Sequence, residues 1–134
     1  MTVNVLLITH EEIGSALVHA ATKALGTLPL PTTVITVNYD SEPEALIPKL
    51  RKLVAAAIAN GQGLLVLTDL FGSTPSNIAA SLQSNHQIKV ITGLNLPMLI
   101  RVMNYAHLEL PDLAEKAFSG GKDGIIDCSK AEHA

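Results

Sequence analysis

Residues 63–75 read Gly-Leu-Leu-Val-Leu-Thr-Asp-Leu-Phe-Gly-Ser-Thr-Pro, and this stretch decides the fold. Up to Thr68 it is a short apolar run without polar alternation, which is typical of a strand buried on both faces of a parallel sheet. Pro75 is typical of the first residue of a helix, with Thr74 as its cap. A buried strand that leads directly into a helix predicts an α/β fold.

The same alternation of strand and helix extends in both directions from this stretch. Further strands are predicted over residues 3–8, 33–37 and 88–92, and helices over residues 13–25, 98–105 and 111–121. A closing run at residues 124–128 is predicted as a fifth strand at a sheet edge. Continuous alternation with short connections indicates one domain over residues 1–134, an open, mostly parallel sheet with helices on both faces.

The helix before the central strand carries two signals near its start. Ser41 and Glu44 have the spacing of a capping box, so we expect a helix that begins at the Ser41 cap and ends near Ala59. Pro48 lies inside this segment. A proline there either kinks the helix or marks its true start, and the sequence leaves both open.

Composition limits the classes of function. The chain has 134 residues, a formal net charge of −3, 48% hydrophobic residues and 3% aromatic residues. These values exclude a disordered chain and disfavour a general affinity for nucleic acid or an anionic membrane. No apolar run reaches the roughly 20 residues that span a bilayer. With no visible signal peptide and a single cysteine, Cys128, we expect a cytoplasmic protein, and the residues imply no metal or organic cofactor.

Candidate chemistry lies where the predicted strands end, because open α/β sheets place their sites beyond the carboxyl ends of the strands. His10 follows the first strand and Asp69 follows the third. If these two strands are neighbours, the two side chains face each other. A carboxylate on one ring nitrogen then fixes the tautomer that makes the other nitrogen nucleophilic.

The loop after Asp69 adds an anion-binding feature. Gly72, Ser73 and Thr74 lead into a predicted helix start, whose free N–H groups favour phosphate. A histidine nucleophile, an orienting carboxylate and an anion cradle together indicate phosphoryl transfer through a phosphohistidine. Each feature also has a plainer explanation, with His10 as a surface residue, Asp69 as a turn residue and Thr74 as a helix cap only.

Three segments carry a specific combination of residues. They are residues 5–10 (Val-Leu-Leu-Ile-Thr-His), 65–77 (Leu-Val-Leu-Thr-Asp-Leu-Phe-Gly-Ser-Thr-Pro-Ser-Asn) and 93–99 (Gly-Leu-Asn-Leu-Pro-Met-Leu). In order and spacing, across nearly the whole chain, they resemble the mannose-family IIA component of the bacterial phosphoenolpyruvate-dependent sugar phosphotransferase system. A lone Thr-His pair would not be specific, whereas the second and third segments are.

The resemblance implies a role for each site residue. His10 would accept a phosphoryl group from the phosphocarrier protein HPr on its Nε2, and Asp69 would hold the proton on Nδ1. Ser73 and Thr74, after Gly72, match the loop that lies against the phosphate. The group would pass to a histidine of a IIB component, which must be a separate chain, and then to a sugar. The resemblance also implies a homodimer in which an antiparallel C-terminal strand is exchanged between subunits.

Three residues depart from the family pattern. Ser73 stands where many members have a second glycine, which stiffens the loop and keeps a hydrogen-bond donor. Glu11 and Glu12 place acidic groups beside a site that must receive a dianion, so we expect them to be mildly unfavourable unless they point to solvent.

A phosphocarrier site must be open to another protein. We therefore expect Leu70, Phe71 and Leu94 to form an exposed apolar rim around His10.

Three other functions stay open. The first is a regulatory phosphoprotein without sugar transport, which keeps His10 and Asp69 in the same roles. The second is the related phosphocarrier of dihydroxyacetone kinase, whose loop usually lacks Phe71 and Thr74-Pro75. The third is a dimeric binding module whose crevice holds an anion without chemistry. The sequence does not identify a sugar.

Overall fold

Four parallel strands form the sheet in the part of the chain that the structure describes. A computed structural model describes residues 2–59, 63–83 and 85–130. The strands are β1 (Asn4–His10), β2 (Thr32–Val37), β3 (Leu64–Thr68) and β4 (Ile88–Thr92), in the spatial order β2-β1-β3-β4. β1 and β3 are therefore the central pair. Every residue of β3 is buried, as its unbroken apolar run predicts.

Helices cover both faces of this sheet. They are α1 (Ile13–Leu25), α2 (Pro43–Ile58), α3 (Thr74–Ala80), α4 (Leu96–Asn104) and α5 (Leu110–Asp123). Alternate side chains of the central strands point to opposite faces, so they divide the core in two. One half packs Leu7 and Leu65 against α1, α4 and α5, and the other packs Leu6 and Val66 against α2 and α3. The predicted α/β architecture, a parallel sheet between two helical layers, is confirmed.

The start of α2 differs from the prediction. The helix begins at Pro43, its N-cap is Glu42, and no side chain caps it. The capping box is therefore wrong, because the Ser41 hydroxyl accepts a hydrogen bond from the Asn38 N–H at 2.9 Å and so closes the turn after β2 instead. Pro48 lies inside the helix, which continues through it.

The two glycines that were expected to end the last helix lie inside α5. A Cβ on Gly120 would stand 2.7 Å from the Cβ of Arg101, and one on Gly121 would stand 2.8 Å from the Cε of Met98. Both contacts are with α4. The glycines therefore allow α4 and α5 to approach closely, and the helix runs on to Asp123.

Residues 124–130, the last that the structure describes, form no strand, so the expected antiparallel C-terminal edge strand is absent from the single chain. A local turn takes its place. The Asp127 carboxylate accepts hydrogen bonds from the N–H and hydroxyl of Ser129, which lower the pKa of Asp127. The Lys130 N–H donates to the Asp127 carbonyl. Such side-chain bonds to the backbone compete with strand pairing, and they leave Ile125 81% exposed.

Candidate functional site

His10 and Asp69 leave neighbouring strands at the same edge of the sheet. β1 pairs with β3 with Ile8 opposite Thr68, which places Asp69 beside the end of β1. The chain moves from β1 to β2 on one side and then returns to β3 on the other side. The crevice at such a reversal of strand order is where open α/β sheets hold their ligands.

The carboxylate of Asp69 is fixed by three groups. Oδ2 lies 2.9 Å from the Nδ1 of His10 and accepts a hydrogen bond from the His10 backbone N–H at 3.1 Å. Oδ1 accepts a hydrogen bond from the Leu70 N–H at 3.1 Å. The Asp69 side chain is 10% exposed and that of His10 is 38% exposed. The Asp69 carboxylate is thus mostly buried and held in place, whereas the imidazole that it contacts remains open to solvent.

This geometry selects one tautomer of the histidine. An ionised carboxylate only accepts hydrogen bonds, so Nδ1 must carry the proton that it donates to Asp69. In the neutral ring the lone pair is then on Nε2, on the opposite side of the imidazole. A positive charge that develops on the ring is stabilised by the adjacent carboxylate. The pair can therefore act as an oriented nucleophile.

The loop after Asp69 is held by its own serines. Ser73 is the N-cap of α3: its hydroxyl accepts a hydrogen bond from the Ser76 N–H and donates one to the Leu70 carbonyl. Thr74, which was expected to be the cap, is the first residue of the helix. The prediction missed by one residue because both side chains suit a cap.

Ser76 was not identified from the sequence, and it ties the loop together. Its buried hydroxyl accepts a hydrogen bond from the Gly72 N–H at 2.8 Å and donates to the Ser73 carbonyl at 3.2 Å. Gly72 has a φ of 82°, in the left-handed region that glycine adopts freely. The only hint in the sequence was a hydroxyl four residues after a glycine, which is too common to be a signal.

Thr74 differs from the other loop residues in having hydrogen-bond donors that no described residue accepts. It is exposed, and neither its N–H nor its hydroxyl has a hydrogen-bond partner within the described part of the chain. By contrast, the N–H of Gly72 and the hydroxyl of Ser73 are committed inside the loop. Of the donors in Gly72, Ser73 and Thr74, those of Thr74 therefore remain available to a ligand.

The apolar rim around His10 is smaller than predicted. Leu70 is exposed and Phe71 is 82% exposed, as expected. The prediction that Leu94 belongs to this rim was wrong, because Leu94 is only 7% exposed and belongs to the core. Its N–H donates to the Thr68 carbonyl at 3.0 Å, which holds the loop after β4 against the end of β3 and turns the leucine side chain inward.

Glu11 and Glu12, which follow His10, differ in their surroundings. The Oε1 of Glu11 accepts a hydrogen bond from the Tyr39 N–H at 3.0 Å, so this carboxylate is bound to the turn after β2. Glu12 is exposed and is the N-cap residue of α1, with no capping hydrogen bond from its side chain. The acidic pair is thus one bound and one solvated carboxylate.

Clusters of metal ligands and membrane-spanning helices are both absent from residues 2–59, 63–83 and 85–130. No group of three or more His, Cys, Asp and Glu side chains there is placed to hold a metal ion. No helix in the same ranges is long and apolar enough to cross a bilayer.

A protein-family model matches this chain over residues 4–118 and is described as the PTS system fructose IIA component, EIIA-man. The chain belongs to this EIIA-Man family. These are IIA components, the phosphocarriers of the sugar phosphotransferase system. A curated relative is the fructose-specific EIIA component of Bacillus subtilis (strain 168), 35% identical over 69 residues. That match covers 50% of this chain and 47% of the relative, so the chain spans about half the length of the relative that it matches.

Solved structures of EIIA proteins share the fold. A phosphotransferase system EIIA component from Streptococcus agalactiae superposes with a TM-score of 0.82 at 23% identity, over 96% of this chain and 99% of that one. The mannose/sorbose specific IIA subunit from Enterococcus faecalis gives a TM-score of 0.81 at 23% identity, over the full length of both chains. At these identities the likeness is one of architecture.

Proposed function

We propose that this EIIA-Man chain carries a phosphoryl group on Nε2 of His10, which it takes from phospho-HPr and passes to a histidine of a IIB component. The observation that carries the proposal is the 2.9 Å contact between Nδ1 of His10 and Oδ2 of Asp69. It fixes the proton on Nδ1 and leaves Nε2 as the nucleophile on the exposed side of the ring.

The transfer needs no proton movement at the attacking nitrogen. The lone pair of Nε2 forms a bond to phosphorus while the bond from phosphorus to the donor histidine nitrogen breaks, and that nitrogen keeps the electron pair. The Nδ1 proton stays between His10 and Asp69 throughout. Nε2 of His10, the phosphorus atom and the donor nitrogen must lie in line during the transfer. The partial exposure of His10 allows the donor protein to approach in this way.

We assign phosphate binding to the loop at Gly72, Ser73 and Thr74, with different tasks for each residue. Thr74 would donate its N–H and hydroxyl to the phosphoryl oxygens, since both groups lack a partner among the described residues. Ser73 and Gly72 would shape the loop, since their donors are already bound within it. A hydrogen bond to a charged group contributes about 1.5–3 kcal/mol, enough to favour the bound dianion.

A homodimer explains the apolar groups left uncovered at the C-terminal end. Ile125 lines a groove with Phe118 of α5 and Ile91 of the edge strand β4, and Phe118 is itself exposed. In the dimer we propose, residues 124–128 of each subunit pair as an antiparallel strand with the sheet of the other. Pairing with a partner would replace the local turn at Asp127 and cover the isoleucines.

In sugar uptake, a IIB component would receive the phosphoryl group, and the sugar would be selected by the membrane components. The alternative use of the same site is regulatory, with the phosphorylation state as the signal and no transport. Both uses share the chemistry at His10. They differ in whether a IIB protein discharges the phosphorylated chain.

Intact mass spectrometry tests the proposal. The chain is incubated with phosphoenolpyruvate, enzyme I and HPr, alongside H10A and, as a matched control, H19A, which removes an exposed histidine on α1 outside the site. We expect one acid-labile phosphoryl group on the wild type and H19A and none on H10A. Phosphorylation of H10A would overturn the role of His10. No phosphorylation of any chain would favour the anion-binding module.

A further inference from the structure

Glu11 adopts a backbone conformation that its residue type disfavours. Its φ is 45°, and within the described ranges no other residue besides glycine has a positive φ. A residue with a Cβ in the left-handed region costs about 1–2 kcal/mol, which a glycine at this position would avoid. Backbone strain directly after the nucleophile His10 indicates that the Glu11 side chain has a function.

The strained residue joins the turns that follow two neighbouring strands. The Glu11 N–H donates to the Val37 carbonyl at 3.1 Å, and its carboxylate accepts from the Tyr39 N–H at 3.0 Å. The turn at Tyr39 is closed at its base by Ser41, which donates its N–H to the Asn38 carbonyl and accepts the Asn38 N–H on its hydroxyl. Glu11 therefore fixes the tip of a turn that is already closed at its base.

The side chain presented by this turn has no packing contact within the part of the chain that the structure describes. Tyr39 is fully exposed, so the hydrogen bond to its N–H does not serve the core. The chain has only two tyrosines and two phenylalanines. Tyr39 follows β2 and Phe71 follows β3, and these strands lie on opposite sides of β1, whose last residue is His10. Two exposed aromatic side chains thus lie in the segments that follow the two strands on either side of β1.

We propose that Glu11 is a positioning residue that holds Tyr39 as the second half of the docking surface for the protein that donates the phosphoryl group. The inference rests on the proposed function and identifies contacts that the reaction chemistry does not require. Exposed aromatic side chains are the groups most often used as anchors at protein interfaces, and holding one in place lowers the entropy lost on docking. The occupant is the donor, because its histidine must approach His10 before the chain carries any phosphoryl group.

The hydrogen bond between the Tyr39 N–H and the Glu11 carboxylate also explains how an acidic residue can lie next to His10 in a site that receives an anion. The Glu11 carboxylate is bound on the β2 side of His10, whereas Asp69 and the Thr74 loop lie on the β3 side. The negative charge is therefore kept apart from the position of the phosphoryl oxygens. Gln has the same acceptor oxygen without the charge, so E11Q separates the hydrogen bond from the charge.

The test measures KM and kcat for phospho-HPr as the donor. We expect E11A, E11G and Y39A to raise KM by about fivefold to tenfold with kcat unchanged. E11Q keeps the acceptor, and E12A removes a neighbouring carboxylate that contacts no turn, so both should stay within about twofold of the wild type. E11G should have a higher melting temperature than E11A, because both lose the hydrogen bond to Tyr39 and only glycine relieves the positive φ. Hydrogen exchange at the Tyr39 amide should be faster in E11A and E11G.

The outcomes distinguish this inference from the function on which it rests. A wild-type KM in E11G or Y39A overturns the docking role while leaving His10 as the phosphorylated residue. An equal effect of E12A and E11A means that only charge matters, and it also overturns the role. Failure of the wild type to accept a phosphoryl group overturns the proposed function and this inference together.

Discussion

Asp69 contacts His10 twice through one oxygen. Its Oδ2 accepts the backbone N–H of His10 at 3.1 Å and lies 2.9 Å from the Nδ1 of the same residue. The carboxylate therefore fixes both the backbone of His10 at the end of β1 and the orientation of its imidazole ring. Because Asp69 is in turn bound by the Leu70 N–H, the orientation of the nucleophile is set by the end of the neighbouring strand.

The first prediction concerns this carboxylate. D69N should lower the rate of phosphorylation by about 100-fold or more, because an amide can donate to Nδ1 and so stabilise the wrong tautomer. An amide nitrogen in the place of Oδ2 also leaves the His10 backbone N–H without its acceptor, so D69N should keep the fold with a slightly lower melting temperature. Rapid-quench kinetics with phospho-HPr measure the rate, and circular dichroism measures the melting temperature. Unchanged kinetics would make Asp69 a turn residue only.

The second prediction separates the two hydroxyl residues of the loop. T74V removes the uncommitted hydroxyl and should lower the rate of phosphorylation by about tenfold, the effect of one lost hydrogen bond to a charged group. T74S keeps the hydroxyl and should restore most of the rate. The same kinetic assay checks both variants. Equal rates for T74V and T74S would remove this hydroxyl from the site.

Ser73 provides the contrast for Thr74. Its hydroxyl caps α3 and binds the Leu70 carbonyl. S73A should therefore lower the free energy of unfolding by about 1 kcal/mol, the usual effect of a lost N-cap. Urea unfolding of S73A and T74V measures the difference, and a larger loss of stability in T74V would contradict the assignment.

The third prediction concerns the contact between α4 and α5. Gly to Ala inside a helix ordinarily stabilises by about 0.5–1 kcal/mol. G120A should instead destabilise by about 1–3 kcal/mol, because its Cβ would stand 2.7 Å from the Cβ of Arg101. E115A, at an exposed position of the same helix, is the control and should change stability little. Stabilisation of G120A in urea unfolding would show that the helices do not pack this closely.

The fourth prediction concerns assembly. Sedimentation velocity should give a dimer for the wild type, and I125D should shift it toward monomer, because a charge at this exposed apolar position opposes burial in an interface. I13D makes the same change at an exposed isoleucine on α1 and should remain dimeric. A monomeric wild type, or equal dissociation of the two variants, would contradict the exchanged strand.

Local patterns in the sequence were enough for most elements of the sheet and its helices. The bounds of α1 and β4 match the predictions, because a short run rich in β-branched residues and a helical period followed by Gly26 depend only on neighbouring residues. The proximity of His10 and Asp69 was predicted only on the condition that their strands pair. The observed strand order β2-β1-β3-β4 shows that β1 and β3, the strands that precede these two side chains, do pair.

The errors arise where the role of a residue depends on distant contacts. Gly120 looked like a helix end and is a packing contact with Arg101, 19 residues earlier by sequence number. Leu94 looked like a rim residue and is turned into the core by a backbone bond to Thr68. Residues 124–128 have the composition of a strand, but a strand also needs a partner, and the single chain offers it a local turn instead.

The central claim is that the phosphoryl group resides on one nitrogen of one histidine. Two-dimensional ¹H–¹⁵N NMR of the phosphorylated chain, with imidazole nitrogens labelled, identifies that nitrogen directly. We expect a phosphoryl group on Nε2 of His10, with the proton retained on Nδ1 beside Asp69. A phosphoryl group on Nδ1 of His10, or on another histidine, would contradict it.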